Sequence, residues 1–276
     1  MDTIVVGFDG STASFVALDW VGERAARLPS RVELVRVDHG DALAGEFEGY
    51  AFDKGMSRLR NLAPDAEVSH RTVSGRMPHA LVRAAAGADL LVIGTHHHRP
   101  VRSALTGWRP LRTITQSPVA VVVVPDDWQP GDGPVLVGVD DDESSAAAIE
   151  FAARHADAVG TGVTLVHAWQ MPVPTMEGPV ALLSSPVEVK RTHRRLLEDA
   201  DAALGRTHPG IRIESRLVQD NPAAALLNAL PRPSLIVIGT HRRGRAEGMF
   251  LGSVTQDVIP LSRVPVCVVP TIPPSS

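Results

Sequence analysis

Cysteine is almost absent from this sequence, which excludes a disulfide framework. Cys267 is the single cysteine among 276 residues, so no disulfide can form within one chain. It stands in the apolar run VPVCVVP, a setting that favours a buried, inert thiol over a reactive one.

Long apolar runs and a basic opening segment are missing as well. No stretch reaches the roughly 18 apolar residues that a membrane helix needs, and MDTIVVGFDG has neither the basic start nor the cleavage site of a signal peptide. The formal net charge of −4 gives no general attraction to nucleic acid or anionic membranes, and no basic patch of suitable size compensates. We therefore expect a cytoplasmic protein that binds neither nucleic acid nor membranes.

The sequence also lacks the common signatures of enzymes. It contains no recognisable pairing of a nucleophile with a base, no Walker P-loop and no G-x-G-x-x-G fingerprint. A conventional catalytic site is therefore not predicted.

What the chain does contain is an internal repeat. Apolar runs that end in aspartate, at 4–9 and 135–140, lie 131 residues apart, and the next runs, which end at Val37 and Ala168, keep that offset. The later runs DLLVIGT and SLIVIGT lie 145 residues apart, because the second half carries fourteen more residues around MPVPTMEGPVALLSSP. An insertion rich in Pro and Gly is typical of a surface loop.

The repeat predicts two domains, 1–127 and 133–276, joined by the linker PDDWQPGDG. Helical periodicity follows the first strand of each half, at 11–28 and 144–159, and each helix is predicted to begin with serine as its N-cap. Strands that alternate with helices and consist of near-continuous Val, Ile and Leu indicate a parallel sheet covered on both faces.

Right-handed crossovers make each half a doubly wound α/β domain. In such sheets ligands bind beyond the carboxyl ends of the strands, where the winding reverses direction. A ligand is therefore expected near Asp9 and Asp140 and near the loops after Gly94 and Gly239.

The segment VIGTHRRGRAEGMFLGSVTQDVI resembles the signature G-x2-G-x9-G-[S/T] of the ATP-binding universal stress proteins, and VGFDGSTAS resembles the opening of that family. The likeness extends over both halves. It implies two tandem, doubly wound, parallel five-stranded sheets with strand order 3-2-1-4-5, a Rossmann-like fold. It further implies a regulatory protein of the stress response that binds ATP or another adenine nucleotide.

The resemblance also implies which residues hold the nucleotide. In the second half these are the aspartate after strand one, the end of strand two and the glycine loop: Asp140, Ala168, Gly239, Arg242, Gly252 and Ser253. Arg242 departs from the signature, because it stands where the second glycine is expected. Its guanidinium could bind phosphate in that place, or it could belong to a solvated basic loop. The degenerate set in the first half is Asp9, Val37, Gly94 and Gly107, with His97 at the second glycine and Trp108 at the serine.

Several residues admit more than one interpretation. The acidic run 140–143 could bind Mg²⁺ with the nucleotide or stabilise the N-terminus of the next helix. The triplet His96-His97-His98 suggests a metal site, but no Cys or carboxylate stands at ligand spacing, and exposed loop histidines are the better account. Asp9 and Asp140 could bind a ribose, or they could only cap the loops into the next helices.

Three functions remain open at this stage. The first is a nucleotide-dependent regulator, the second an interaction protein that binds no nucleotide and keeps the fold with altered loops, and the third a slow ATPase. We also expect the fifth strands of the two halves to pair within the chain, since exposed apolar edge strands aggregate. Assembly into a homodimer is left open.

Overall fold

The computed structural model describes residues 1–38, 45–96, 109–171, 185–240 and 251–271. The repeat appears as two successive series of alternating strands and helices, which we number along the chain. The first series consists of β1 (Asp2–Gly7), α1 (Thr12–Ala25), β2 (Ser30–Asp38), α2 (Gly45–Leu62), β3 (Glu67–Ser74), α3 (His79–Ala84), β4 (Leu90–Thr95), α4 (Arg109–Gln116) and β5 (Ala120–Pro125).

The second series repeats the same order of elements. It consists of β6 (Val135–Gly138), α5 (Glu143–Val159), β7 (Val163–Trp169), α6 (Pro186–Thr207), β8 (Ile213–Gln219), α7 (Pro222–Asn228), β9 (Leu235–Thr240), α8 (Ser253–Leu261) and β10 (Val266–Pro270). The predicted linker runs between β5 and β6 without regular structure. Most of the predicted surface insertion lies outside the described residues.

The strands form a single ten-stranded sheet in the order β3-β2-β1-β4-β5-β10-β9-β6-β7-β8. Each half keeps the predicted order 3-2-1-4-5 with parallel neighbours, so the doubly wound α/β fold is confirmed. The expectation of two separate sheets needs one amendment. β5 and β10 pair antiparallel, with Cys267 opposite Val122, and this pair joins the halves edge to edge.

The helices cover both faces of this sheet. One layer of core side chains lies under α1, α2, α5 and α6, and a second lies under α3, α4, α7 and α8. The central strands are apolar on both sides, as the continuous Val, Ile and Leu runs predicted: all six residues of β5 are buried. Cys267 is fully buried, as predicted, and burial raises the pKa of its thiol.

The first helices of the two halves, α1 and α5, have different types of N-cap residue. Ser11 is the N-cap of α1, as predicted, and its hydroxyl accepts a hydrogen bond from the backbone N–H of Ser14. The prediction of a serine N-cap for α5 is wrong. Asp142 is the N-cap and accepts hydrogen bonds from the backbone N–H groups of Ser144 and Ser145. A carboxylate at this position also interacts favourably with the helix dipole.

Candidate functional site

A cavity lies in the second half, at the carboxyl ends of β6, β7 and β9. Its volume is about 410 Å³. β6 lies between β7 and β9 in the sheet, so the winding reverses direction at this strand. The cavity therefore occupies the place where doubly wound sheets bind their ligands.

The loop after β6 forms one rim of the cavity and carries Asp140. The backbone N–H of Asp140 donates to Ser145 Oγ over 2.8 Å, and the Ser145 hydroxyl donates to the Asp140 carbonyl over 2.9 Å. Oδ1 of Asp140 accepts from the N–H of Asp141 at 2.9 Å. These three bonds hold the Asp140 carboxylate at the rim, although the residue itself is exposed.

The next acid in the run, Asp142, also lines the cavity but has a defined structural role. Its Oδ1 accepts from the N–H of Ser144 at 2.9 Å and from the Ser144 hydroxyl at 2.6 Å. This arrangement supports the helix-capping interpretation of the acidic run over the Mg²⁺ interpretation for this residue.

The first turn of α8 also lines the cavity. Gly252 is its N-cap and supplies no side-chain cap, and Gly252, Ser253, Val254 and Thr255 all line the cavity. The first N–H groups of a helix have no partner within the helix, and the helix dipole makes this end positive. Together with the Ser253 hydroxyl, these donors suit an anionic group such as a phosphate.

Apolar side chains complete the lining of the cavity. Val166 and Ala168 come from β7, Ile238 from β9 and Leu226 from α7. Val166, Leu226 and Ile238 are less than a tenth exposed. The cavity thus combines apolar side chains with a carboxylate and with helix N–H donors, as small-molecule sites commonly do.

Two histidines lie behind the wall formed by β7. His167 is buried, and its Nδ1 lies 2.7 Å from the carbonyl oxygen of Val139 while its Nε2 lies 2.8 Å from Nδ1 of His193. Because a carbonyl only accepts, His167 Nδ1 carries the proton and Nε2 accepts from His193. Burial and the neighbouring His167 lower the pKa of His193, and Asp140 opposes them. His167 thereby ties α6 to the loop that carries Asp140.

The two glycines that end the fourth strands have a packing role that does not involve a ligand. A β-carbon at Gly239 would overlap the carbonyl oxygen of Ser144, and one at Gly94 would overlap the carbonyl oxygen of Ala13. The helix after each first strand therefore packs directly against the backbone of the fourth strand. Glycine is needed at these positions for helix packing, whatever else the loop does.

The first half holds its aspartate differently. Oδ1 of Asp9 accepts from the N–H of Ser11 at 3.0 Å. Burial acts to raise the pKa of Asp9, but hydrogen bonds from Ser11 and Ser14 outweigh it and leave the pKa below its ordinary value. The Asp9 carboxylate is thus engaged with the start of α1. His96, after β4, pairs through Nδ1 with Asp126 at 2.8 Å.

Of the six residues predicted for the second half, Asp140, Ala168, Gly239, Gly252 and Ser253 line the cavity, and Arg242 lies outside the described residues. In the first half, Asp9, Val37 and Gly94 follow or end strands β1, β2 and β4, whereas Gly107 lies outside the described residues, as do His97, His98 and Trp108. Pro222 and Leu226 of α7 also line the cavity, and His167 and His193 lie beside it, although no sequence motif marks these four residues. The periodicity of α7 marks Leu226 as apolar, but no pattern places it at a cavity.

Comparison with known proteins agrees with this architecture. The family model described as the universal stress protein family matches residues 1–125 and 133–270. This chain belongs to the universal stress protein family. The two matches show that the family domain occurs twice in tandem, as the repeat predicted, and they begin and end close to the predicted domain boundaries.

Individual relatives extend over nearly the whole chain. A universal stress protein of Mycobacterium bovis is 29% identical over 289 residues, covering 96% of this chain and 96% of its own. The crystal structure of a universal stress protein from Archaeoglobus fulgidus has the same fold, with a TM-score of 0.73 at 19% identity and coverage of 97% and 98%. A second protein from that organism, solved in complex with dAMP, covers 50% of this chain and 97% of its own, at 22% identity and a TM-score of 0.37.

Within the described ranges, no helix combines the length and the apolar character needed to cross a bilayer.

Proposed function

We propose that the second half binds an adenine nucleotide, ATP in the first instance, and that the protein acts as a nucleotide-dependent regulator. The observation that carries this proposal is that the cavity of about 410 Å³ brings together Asp140, Ala168 and the first turn of α8. Asp140 and Ala168 lie 28 residues apart in the chain, and α8 begins 85 residues after Ala168.

Each part of the cavity suits one part of the nucleotide. The apolar wall with Ala168 and Ile238 accommodates a flat, weakly polar base, and the Asp140 carboxylate can accept hydrogen bonds from ribose hydroxyl groups. The N–H donors and the Ser253 hydroxyl at the start of α8 suit the phosphates. The volume also falls within the range of roughly 300–1,000 Å³ typical of ligand sites.

Mg²⁺ would enter with the phosphates. Of the two carboxylates that line the cavity, Asp142 is already bonded to the start of α5, so Asp140 is the one placed to meet a metal bound to the nucleotide. We assign no hydrolytic role to any residue of the cavity.

The alternative is an interaction protein that binds no nucleotide. Its support is the sequence itself, since Arg242 and His97 replace the second glycine of the signature. Absorbance at 260 nm of the small-molecule fraction released from denatured, freshly purified protein separates the two functions. We expect adenine nucleotide in wild-type protein and its loss in Ser253→Trp, whereas a fraction free of nucleotide, followed by no binding of added ATP, would favour the interaction protein.

A further inference from the structure

The paired histidines His167 and His193 belong to the half of the chain that carries the cavity. His167 lies in β7 between two residues that line the cavity, and His193 lies in α6. The first half has other residues at these places: by the offsets of the repeat, Arg36 and Glu48 stand at the equivalent positions of the sequence. The pair thus accompanies the proposed nucleotide site.

His167 is bonded at both of its ring nitrogens. It is buried; its Nδ1 donates to the carbonyl oxygen of Val139, and its Nε2 accepts from Nδ1 of His193. The proton of a neutral imidazole can lie on either nitrogen, and the hydrogen bond at one nitrogen selects the tautomer. Because His193 donates to Nε2, His167 keeps its proton on Nδ1, where it bonds to the residue directly before Asp140. His193 therefore acts on the Asp140 loop through His167.

The two rings can take up one more proton without losing a hydrogen bond. A proton from solvent adds to Nε2 of His193, which is partly exposed. The Nδ1 proton of His193 can then move to Nε2 of His167, which becomes the cation and donates from both nitrogens, while His193 is neutral with its proton on Nε2. The bond to the Val139 carbonyl is then charge-assisted and stronger. A second proton is disfavoured, because both facing nitrogens would carry a hydrogen and both rings a positive charge.

The groups in contact with His193 keep it uncharged in the free protein and still accommodate one charge. Burial and the neighbouring His167 lower the pKa of His193, and the Asp140 carboxylate opposes them. The ring of Trp169 stacks on His193 with the centroids 5.6 Å apart. An aromatic face attracts a cation at this distance.

The elements packed around the pair carry further charged groups: Lys190 and Arg194 of α6, Glu150 and Arg154 of α5, and Glu214 and Arg216 of β8. The groups of α5 and of β8 form ion pairs within their own element. The two cations of α6 are exposed. They oppose an added positive charge, whereas Asp140 favours it.

We propose that His193 is a positioning residue of the nucleotide site, which acts through His167 on the Asp140 loop, and that the pair takes up one proton when the nucleotide binds. This inference rests on the function proposed for the second half. An anionic nucleotide beside Asp140 stabilises a positive charge on the pair, and the charge-assisted bond to the Val139 carbonyl holds the loop more firmly.

Proton and nucleotide then strengthen each other's binding, because such coupling is reciprocal. Binding of the nucleotide raises the proton affinity of the pair above that in the free protein. The added nucleotide affinity is therefore fully present at low pH, and it is lost as pH rises and the pair in the complex gives up its proton.

Proton uptake is measured by calorimetric titration of the intact, nucleotide-free protein with ATP in buffers of different ionisation enthalpy at one pH. The slope of the observed enthalpy against the ionisation enthalpy of the buffer gives the number of protons taken up. We expect wild type to take up more protons than the double variant His167→Asn/His193→Asn, in which neither side chain titrates. Protons exchanged by ATP itself cancel in this difference.

The Kd for ATP gives the same coupling as a pH profile. Between about pH 8 and about pH 6, the Kd of the double variant divided by that of wild type should increase as pH falls, by at most about tenfold per pH unit for one proton. His208→Asn is the matched control. His208 lies at the other end of α6, bonds to Glu150 and does not line the cavity, so this variant should behave as wild type.

The positioning role is tested at about pH 8, where His193 is uncharged. His193→Phe keeps a ring against Trp169 but has no donor, and it should weaken ATP binding about 2- to 12-fold. His193→Asn places an amide donor near the position of Nδ1 and should restore the affinity of wild type.

Two results would overturn this inference while ATP still binds. One is equal proton uptake in wild type and the double variant, and the other is an equal ATP affinity of His193→Phe and wild type. Absence of ATP binding at every pH refutes the proposed function instead, and this inference with it. If the double variant does not fold, His193→Asn alone replaces it, because it removes the ring that receives the proton from solvent.

Discussion

The start of α8 allows the proposed phosphate contact to be removed without disturbing the helix. Ser253 is the first residue of α8, and Gly252 before it has φ −57° and ψ 148°. Proline is well accepted at the first helical position, where its missing N–H has no helical partner, and it requires this extended geometry of the residue before it. Ser253→Pro should therefore keep the fold while it removes both the hydroxyl and the backbone N–H that face the cavity.

The expected loss of affinity follows from the number of bonds removed. A hydrogen bond to a charged group contributes about 1.5–3 kcal/mol, which corresponds to roughly 10- to 150-fold in Kd. Ser253→Ala removes one such bond. Ser253→Pro removes two and should weaken ATP binding by about 10²- to 10⁴-fold, with a Tm equal to or slightly above that of wild type, because proline also restricts the unfolded chain.

Isothermal titration with ATP, paired with thermal unfolding in the absence of ligand, measures both quantities. Thr12→Pro is the matched control, because it makes the same change at the first position of α1, after an N-cap with φ −72° and ψ 161°. We expect this control to leave the strong ATP affinity unchanged. If Ser253→Pro binds ATP as tightly as wild type, the phosphates do not contact the start of α8.

Three further predictions concern the interface and the site. Between pH 6.5 and about 3 the unfolded chain binds a proton at His155 that the folded chain does not, so the free energy of unfolding should fall as pH falls, by up to about 1.4 kcal/mol per pH unit. His155→Gln should flatten this slope in urea titrations, and an unchanged slope would contradict the buried neutral imidazole. Val122→Lys, at a fully buried position, should shift the protein from the monodisperse peak to aggregate in gel filtration, whereas Val187→Lys, at a residue 64% exposed, should not. His167→Phe removes the hydrogen bond to the Val139 carbonyl and should weaken ATP binding about 2- to 12-fold, and an equal affinity would show that the Asp140 loop keeps its position without this bond.

The sheet was predictable because its strands are continuous apolar runs and because the repeat gives each strand a counterpart. β4 and β9 end in the same VIGT sequence, and their place beside β1 and β6 follows from the doubly wound topology. The start of α5 was not predictable in the same way. Asp140, Asp142 and Ser144 are all good N-caps by residue type, and only the backbone geometry selects Asp142.

The position of the cavity could be predicted from the sequence, but the contacts around it could not. Asp140 and Gly239 follow or end neighbouring strands, so the sheet order alone brings them together. His167 and His193 meet through α6, which follows an insertion whose length varies between the halves, and no periodicity specifies that contact. Gly239 matches the family's phosphate loop by sequence, whereas the packing of α5 against it becomes visible only in three dimensions.

The number of nucleotides bound per chain is the most direct test of the central claim. Calorimetric titration of the intact, nucleotide-free protein with ATP should show one strong site per chain, absent in Ser253→Trp and unchanged in Trp108→Ser. Two sites of equal affinity, or no binding at millimolar ATP, would contradict the assignment of the nucleotide site to the second half.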